Sequence, residues 1–564
     1  MKQTTAPWVL GFVLLLACAA SAQAVCVLEA AKAAVKTEGG PEATGGWNLW
    51  SNGRVGQPLR FAAAGTYRVT VRAWGSPAGG GWPEMALAVD GTQVRIATVN
   101  KPEPADYPFE IELAAGFHEI AAAFLNDAVA GREDRNLHLV SISIAPPPGV
   151  ADPVPADARE LAAEAARREG EIVAATGAAI ERNRKADATL RVTDAGGRPV
   201  AGARVTATQT GQEFLFGCNI FGFDHCGDAA RDAAYKQRFE GLFNYATVGF
   251  YWRWYESERG RPNYAYTDQV VAWCVEHGIR LKGHPLLWGN EAGVPPWSKG
   301  QPAPELQRAR VQEIMTRYRG KIGNWEVVNE PSHEAQPKID EPYRWARAAD
   351  PAAHLIVNDY YVFADGAPGF LKLLTEAQRA GVPFDGIGIQ AHEPRTRRFP
   401  LERVQAILDR YAALGKTLQI TEYEPTSGGA PIEGSHLAGV WDEAAQADYA
   451  EKFYRVCFAH PAMRAITWWD LSDRGSWLPG GGLVRADMSP KPVYARLRKL
   501  IREDWSTRFE GATGADGRCA FRGFRGAYRV TVAAGGAKAE QDFELTKDGP
   551  REIVVRLAAA PARP

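Results

Sequence analysis

The rhythm of apolar and polar positions changes several times along the chain of 564 residues. Over residues 26–146 the period is two, in short runs broken by Gly and Pro: TYRVTVRAW, MALAVDG, FEIELAAGFHEIAAAF and LHLVSISIA. Such runs put successive side chains on opposite faces of a strand, and their repetition between turn signals predicts an antiparallel β-sandwich. Residues 147–186 hold a Pro-rich linker, PPPGVADPVP, and then ADARELAAEAARREGEIVAA. The latter carries Ala, Glu and Arg with no breaker and predicts an exposed helix, a spacer or buttress. The β rhythm returns over 187–212 and again over 503–564, in ATLRVTDAGGRPVAGARVTATQT and GADGRCAFRGFRGAYRVTVAAGG. Between those two stretches, residues 213–502 alternate short apolar runs with helical ones through eight strand–helix units. That alternation and length predict a (β/α)8 TIM barrel. Gly278, Gly381 and Gly415 fall where helix C-caps belong.

In a parallel barrel the C-terminal ends of all strands meet at one mouth, so polar residues there form a site. The predicted third strand ends in His284 and Trp288, the fourth in Asn329 and Glu330, and the fifth in Asn358 and Asp359. The sixth ends in Gln390 and His392, the seventh in Thr421 and Glu422, and the eighth in Trp469 and Asp473. The fourth is the clearest: in NWEVVNEP, Val327 and Val328 read as buried strand and Pro331 forbids further ladder pairing. Any one polar end fits a hydrogen-bonded core group; six behaving alike point to a site. Glu330 and Glu422 make the pair that glycosidic cleavage needs, one to protonate the leaving oxygen and one to act at the anomeric carbon. The acid must keep its proton near neutrality, which takes burial or a neighbouring negative charge. The nucleophile must stay ionised, and His392 is the expected hydrogen-bonding or positive neighbour.

Charge and composition narrow the partners. With 65 Lys and Arg against 66 Asp and Glu the net charge is −1, which gives no global field for nucleic acid or an anionic membrane. The 17 Trp and 18 Tyr supply flat faces that suit sugars as well as core packing. Residues 1–24 read as a secretory signal peptide: Lys2, an apolar run from Trp8 to Ala20, and the A-x-A cleavage pattern Ala22-Gln23-Ala24. The run is too short to span a membrane, and no later stretch is apolar for long enough. A secreted or periplasmic location follows, with a lipoprotein anchored at Cys18, in Leu15-Leu16-Ala17-Cys18, as the alternative. The six later cysteines are scattered, with no metal-binding spacing and no disulfide framework. Cys218 and Cys226 are close enough in sequence to bridge. In the N-terminal sandwich, Asn126-Asp127 and Arg132-Glu133-Asp134-Arg135-Asn136 cluster oxygen donors of the kind that hold Ca²⁺, or form a solvated turn.

Three resemblances add to this reading. GGGWPEMALAVDG and FLNDAVAGREDRNLHL resemble the calcium-dependent xylan-binding carbohydrate-binding modules of families 36 and 60. That resemblance implies Ca²⁺ with Asp127 and Asp134 among its ligands, and a sugar-stacking role for Trp82 or Trp74. The stretches flanking the barrel resemble two halves of one small immunoglobulin-like sandwich, which makes the barrel an insertion. The barrel itself resembles glycoside hydrolase family 10, the retaining β-1,4-xylanases, through GHPLLW, WEVVNEP, VNDYY, GIGIQAH, ITEYE and TWWDLSDRGSW. It implies Glu330 as acid/base, Glu422 as nucleophile and Asn329 on the sugar 2-hydroxyl. His284, Gln390 and His392 would shape the −1 subsite, Trp288, Trp469 and Trp477 would frame it, and catalysis would need no cofactor. One departure stands out: where the family ends its second strand with E-N-x-M-K-W, this chain reads Thr247-Val248-Gly249-Phe250-Tyr251-Trp252. The expected function is a secreted retaining endo-β-1,4-xylanase. The alternatives are a retaining hydrolase of another β-linked plant or algal glycan, or a non-catalytic glycan-binding protein.

Overall fold

A computed structural model describes residues 25–43, 45–365, 367–392, 395–549 and 552–558. Residues 1–24, the expected signal peptide with Cys18, lie outside the described residues. Two compact units divide the chain, residues 1–164 and 165–564.

The first unit is the expected sandwich of two antiparallel sheets. One runs in the order Gly40–Pro41, Trp47–Leu49, Asn136–Ala145, Gly65–Ser76, Ala105–Leu113; the other runs Val154–Pro155, Gly53–Phe61, Gly116–Phe124, Glu84–Val89, Thr92–Thr98. Strict alternation along Gly65–Ser76 buries Tyr67, Val69, Val71 and Ala73 and leaves Thr66, Arg68 and Arg72 in solvent. Those side chains meet Leu59, Leu87, Ile120 and Leu137 in one core between the sheets.

The second unit holds the barrel and the divided small sandwich. Lys185–Thr193 pairs with Arg518–Phe524 and Glu552–Arg556, while Arg204–Gln212 pairs with Arg508–Ala512 and Gly526–Ala534. Neither half could bury Leu190, Val205, Tyr528 and Val530 by itself, and together they form one core. Because the strands lie side by side, the chain leaves and re-enters this sandwich at neighbouring points, which makes a long insertion cheap.

Eight parallel strands build the barrel: β1 Leu215–Asn219, β2 Tyr245–Gly249, β3 Arg280–His284, β4 Asn324–Asn329, β5 His354–Asp359, β6 Gly386–Ile389, β7 Thr417–Tyr423 and β8 Met463–Trp468. β8 closes the ring on β1 through Leu215 opposite Ala465. A two-residue strand after β3, Leu287–Trp288, pairs with Val328 and Asn329 and carries Trp288 to the mouth. Gly278, Gly381 and Gly415 have φ of +68°, +67° and +72°, the left-handed geometry that ends a helix. All six cysteines among the described residues are unbonded, Cys218 and Cys226 included.

The helix α1, Ala158–Arg184, is longer than the sequence pattern indicates and is not simply exposed. Glu169, Thr176, Ile180 and Arg184 are buried on one face. Glu169 pairs with Arg398 at 2.7 Å and Lys452 at 2.5 Å, and such buried charges on an otherwise polar helix leave no apolar stripe to read. At its end Arg184 donates to the carbonyls of Phe458, His460 and Met463 at the foot of β8, and its guanidinium lies 4.7 Å from the Phe214 ring. Burial, with the Arg525 and Arg464 charges and against the Glu213 carboxylate, pushes the Arg184 pKa down to about 9. Arg184→Ala leaves these carbonyls without their donor, and urea unfolding of the variant is expected to show a loss of about 3 kcal/mol.

Candidate active site

The mouth of the barrel collects the polar strand ends. Glu330 follows β4 directly with φ +53°, a left-handed conformation that a non-glycine residue adopts only when its surroundings hold it there. Its amide donates to the Asn358 carbonyl on β5 at 3.0 Å, and a register shift between Glu326 and Asn329 marks the irregularity. The strained turn aims the carboxylate across the mouth. Oε1 accepts from Gln390 Nε2 at 2.8 Å and Oε2 from Trp288 Nε1 at 3.1 Å.

Glu422, on β7, is 4 % exposed. Its Oε1 accepts from Asn358 Nδ2 at 2.9 Å, and the same amide nitrogen donates to Asn329 Oδ1 at 2.9 Å. Thr421 Oγ1 donates to Asn358 Oδ1 at 2.5 Å, which fixes the orientation of the Asn358 amide. From Gln390 a second link runs to the other carboxylate: its Oε1 lies 3.1 Å from His392 Nε2, which is 3.7 Å from Glu422 Oε2. Gln390 thus bonds both Glu330 and His392, and His392 packs beside Glu422 without a hydrogen bond to it.

Beneath them lies a group that the sequence motifs do not single out. Lys282 on β3 and Glu326 on β4 are both fully buried inside the barrel and pair at 2.7 Å. Glu326 also bonds His284 Nδ1, and His284 Nε2 meets the Tyr251 hydroxyl at 3.1 Å. The available signal was a charged residue in the middle of each apolar strand, IRLKGH and NWEVVN. Donor atoms of His284, Glu326 and Glu422 approach within 4.8 Å of one another, but Lys282 already supplies the positive charge at that point.

Electrostatics separate the two candidate acids. Desolvation, with the Asp359 charge, lifts Glu330 to about 7 against the pull of Gln390 and Trp288. Glu422 is also held up, by burial and by the Glu326 and Glu330 carboxylates, with Lys282 and Asn358 opposing. A proton on Glu330 removes one of those repelling charges and so eases ionisation of Glu422, which burial and Glu326 still oppose. His392 does not act as a cation for it. Burial, Arg395 and His284 push its pKa down to about 3, so the imidazole is neutral; Lys282 and Asn358 stabilise the Glu422 charge instead.

Aromatic walls flank the acids. Trp469 is 6 % exposed and packs edge-on to His284 at 5.4 Å, while Trp477 is 46 % exposed and stacks on His392 at 4.3 Å. Asp359 and Asp473, also strand-end acids, serve the frame. Asp359 accepts from the Ser332 amide and hydroxyl and bonds His333, and Asp473 pairs with Lys491 at 2.7 Å. The altered second strand places Tyr251 at the centre of an aromatic cluster, 5.8 Å from Phe221, 5.7 Å from Trp254 and 6.0 Å from Trp288.

Residues 212–500 match the sequence profile of glycosyl hydrolase family 10, about half of the chain. The chain belongs to glycosyl hydrolase family 10. Residues 68–154 match a Ca-dependent, xylan-binding carbohydrate-binding module. Within the family, endo-1,4-beta-xylanase B of Thermotoga neapolitana is 30% identical over 295 residues, 47% of this chain and 83% of that protein. Anti-sigma-I factor RsgI6 of Acetivibrio thermocellus is 29% identical over 379 residues, 65% of this chain and 47% of that protein. The family 10 chain thus spans less than half the length of that relative, and 35% of endo-1,4-beta-xylanase 2 of Arabidopsis thaliana. Among solved structures, xylanase 10B of Thermotoga petrophila in complex with xylobiose aligns at 25% identity and a TM-score of 0.45, over 52% of this chain and 95% of that one.

In the N-terminal unit, Asp127 and Asp134 lie on either side of the hairpin Val129–Ala130/Glu133–Asp134, both exposed. Arg135 turns away from them and donates to the carbonyls of Ala78, Gly81 and Asn126, which locks the loops together. Neither aspartate has an ion-pair partner among the described residues, and Asp134 accepts only the Asn136 amide at 3.2 Å. Both carry acceptor-only oxygens of the kind Ca²⁺ takes, but no group of three His, Cys, Asp or Glu ligands gathers in this unit among the described residues. One ring face of Trp74 is covered by His138, stacked at 3.5 Å, while Trp82 is half-buried.

Because Gln390 stabilises the Glu330 anion, Gln390→Ala is expected to raise the Glu330 pKa above about 7. A ¹³C-carboxyl NMR titration of the free protein reads this directly, and an unmoved or lowered midpoint would refute the assignment.

Proposed function

We propose that the chain is a retaining endo-β-1,4-xylanase that hydrolyses xylan by double displacement. Glu330 gives its proton to the leaving oxygen while Glu422 attacks the anomeric carbon, and Glu330 then takes a proton from the water that releases the glycosyl-enzyme. The observation that carries this reading is the carboxylate pair at the ends of β4 and β7, with Glu330 poised near neutrality and Glu422 held by Asn358 near Lys282. Asn329, fixed by Asn358, holds the 2-hydroxyl of the reacting sugar. His284, Gln390 and His392 shape the −1 subsite, and Trp288, Trp469 and Trp477 frame it.

The N-terminal module binds the polysaccharide; Asp127 and Asp134 would hold Ca²⁺, which would supply a positive centre for sugar hydroxyls. Residues 1–24 direct the protein to the periplasm or the medium, where polymeric substrate is met. A second reading keeps the mechanism and changes the glycan. It is favoured by the Tyr251 cluster, since aromatic surfaces discriminate hydroxyl patterns less sharply than hydrogen bonds do. A reducing-sugar screen over polysaccharides distinguishes the two.

Glu422→Ala is expected to lower xylan hydrolysis by at least about a thousandfold, with azide restoring turnover and giving the inverted glycosyl azide. Full activity in the variant would end the assignment. A chelator is expected to weaken retention of the protein on insoluble xylan without slowing hydrolysis of a short soluble substrate. Unchanged retention would remove Ca²⁺ from the account.

A further inference from the structure

Close to the catalytic pair, β7 and β8 leave two more carboxyl groups face to face. Glu424, two residues beyond Glu422, is 1 % exposed, and neither of its buried oxygens has a well-formed hydrogen bond among the described residues; the Asp470 backbone amide faces them more loosely. The group that faces it is Asp470, just past β8. Asp470 is engaged on both oxygens: Oδ1 accepts from Asn219 Nδ2 at 3.0 Å, and Oδ2 accepts from the Trp477 amide at 2.8 Å.

The surrounding charges do not relieve the pair. Asp473 adds a further negative charge, and Lys491, the cation of that corner, pairs with Asp473 at 2.7 Å. Cys218 on β1 and Tyr251 past β2 also face these acids and are neutral, their pKa values raised by burial. Two desolvated carboxylates without a cation cannot both ionise, so one proton stays between them. Asn219 and the Trp477 amide stabilise the charge on Asp470, while Glu424 has only the Asp470 backbone amide to set against burial and the Asp470 and Asp473 charges, so Glu424 keeps the proton.

The consequence reaches the site through Trp477. Its amide is held by Asp470, its ring stacks on His392 at 4.3 Å, and His392 Nε2 is 3.7 Å from Glu422 Oε2. We propose that Glu424 is a positioning residue: as a neutral acid it donates its proton to Asp470, which keeps that carboxylate seated between Asn219 and Trp477 and holds the Trp477 ring against His392. Loss of this proton at alkaline pH sets two negative charges against each other and displaces the turn that carries Trp477. The kinetic consequence rests on the hydrolase reading; the structural one does not.

The test compares Glu424→Gln with Glu424→Ala in the full chain, each checked for folding by circular dichroism. Glutamine still donates to Asp470 but does not titrate. On a soluble xylo-oligosaccharide, Glu424→Ala is expected to raise KM about tenfold with kcat changed less than about threefold, while Glu424→Gln keeps KM within about twofold. The alkaline rise in KM of the wild type should vanish in Glu424→Gln. The second measurement needs no activity. The Trp477 indole N–H resonance, assigned by its loss in Trp477→Phe, should shift with rising pH in the wild type and stay fixed in Glu424→Gln. A Gln variant as impaired as the Ala variant, or the same pH shift of Trp477 in both proteins, would overturn the proposal. If the wild type hydrolyses no xylan while the Trp477 shift behaves as expected, only the activity reading fails.

Discussion

The site depends on one buried interaction, the ion pair of Lys282 and Glu326 on the axis of the barrel. Fully buried charges are costly unless they are paired and hydrogen-bonded, and here each has a partner on the neighbouring strand. The pair fixes His284 through Glu326 and sets a positive charge beneath Glu422. Removing either member would leave an uncompensated charge under the Glu330 and Glu422 carboxylates, so the register of β3 against β4 and the electrostatics of the mouth are one constraint.

Above that pair, two chemically identical side chains are given different roles by their neighbours. Glu330 sits on a strained left-handed turn where desolvation dominates, and its two donors, Gln390 and Trp288, moderate the effect. Glu422 is more deeply buried, yet it has Asn358 as a donor and Lys282 as a nearby cation. The difference lies in which charges remain once one proton is shared. The same logic recurs in Glu424 and Asp470, where the proton settles on the member with the weaker donors.

The outer parts of the chain obey simpler rules. Each sandwich is held by one core of alternating inward residues, and the divided one can accept a whole barrel because its strands bring the two cut ends together. The α1 helix is tied to the barrel by Arg184 and Glu169, charged groups whose partners are carbonyls and side chains more than two hundred residues away.

Periodicity alone determined the succession of sandwich, helix and barrel, because burial of one face of a strand imposes a period of two and strand–helix alternation imposes a parallel sheet. It also brought Glu330 and Glu422 to notice, since Pro331 ends β4 and polar residues cluster at strand ends. The family motifs in WEVVNEP and ITEYE gave those residues their expected roles. What the chain could not declare was anything set by partners distant in sequence. The buried face of α1 was hidden because its contacts are ionic rather than apolar. His392 was expected as a positive or hydrogen-bonding neighbour of Glu422, and the structure makes it neutral because burial and Arg395 act on it together. Lys282 with Glu326, Tyr251 against His284, and Glu424 facing Asp470 all join residues from different strands. Only closure of the barrel brings these groups within a few ångströms and removes the water between them, and desolvation at that range decides which of them hold charge.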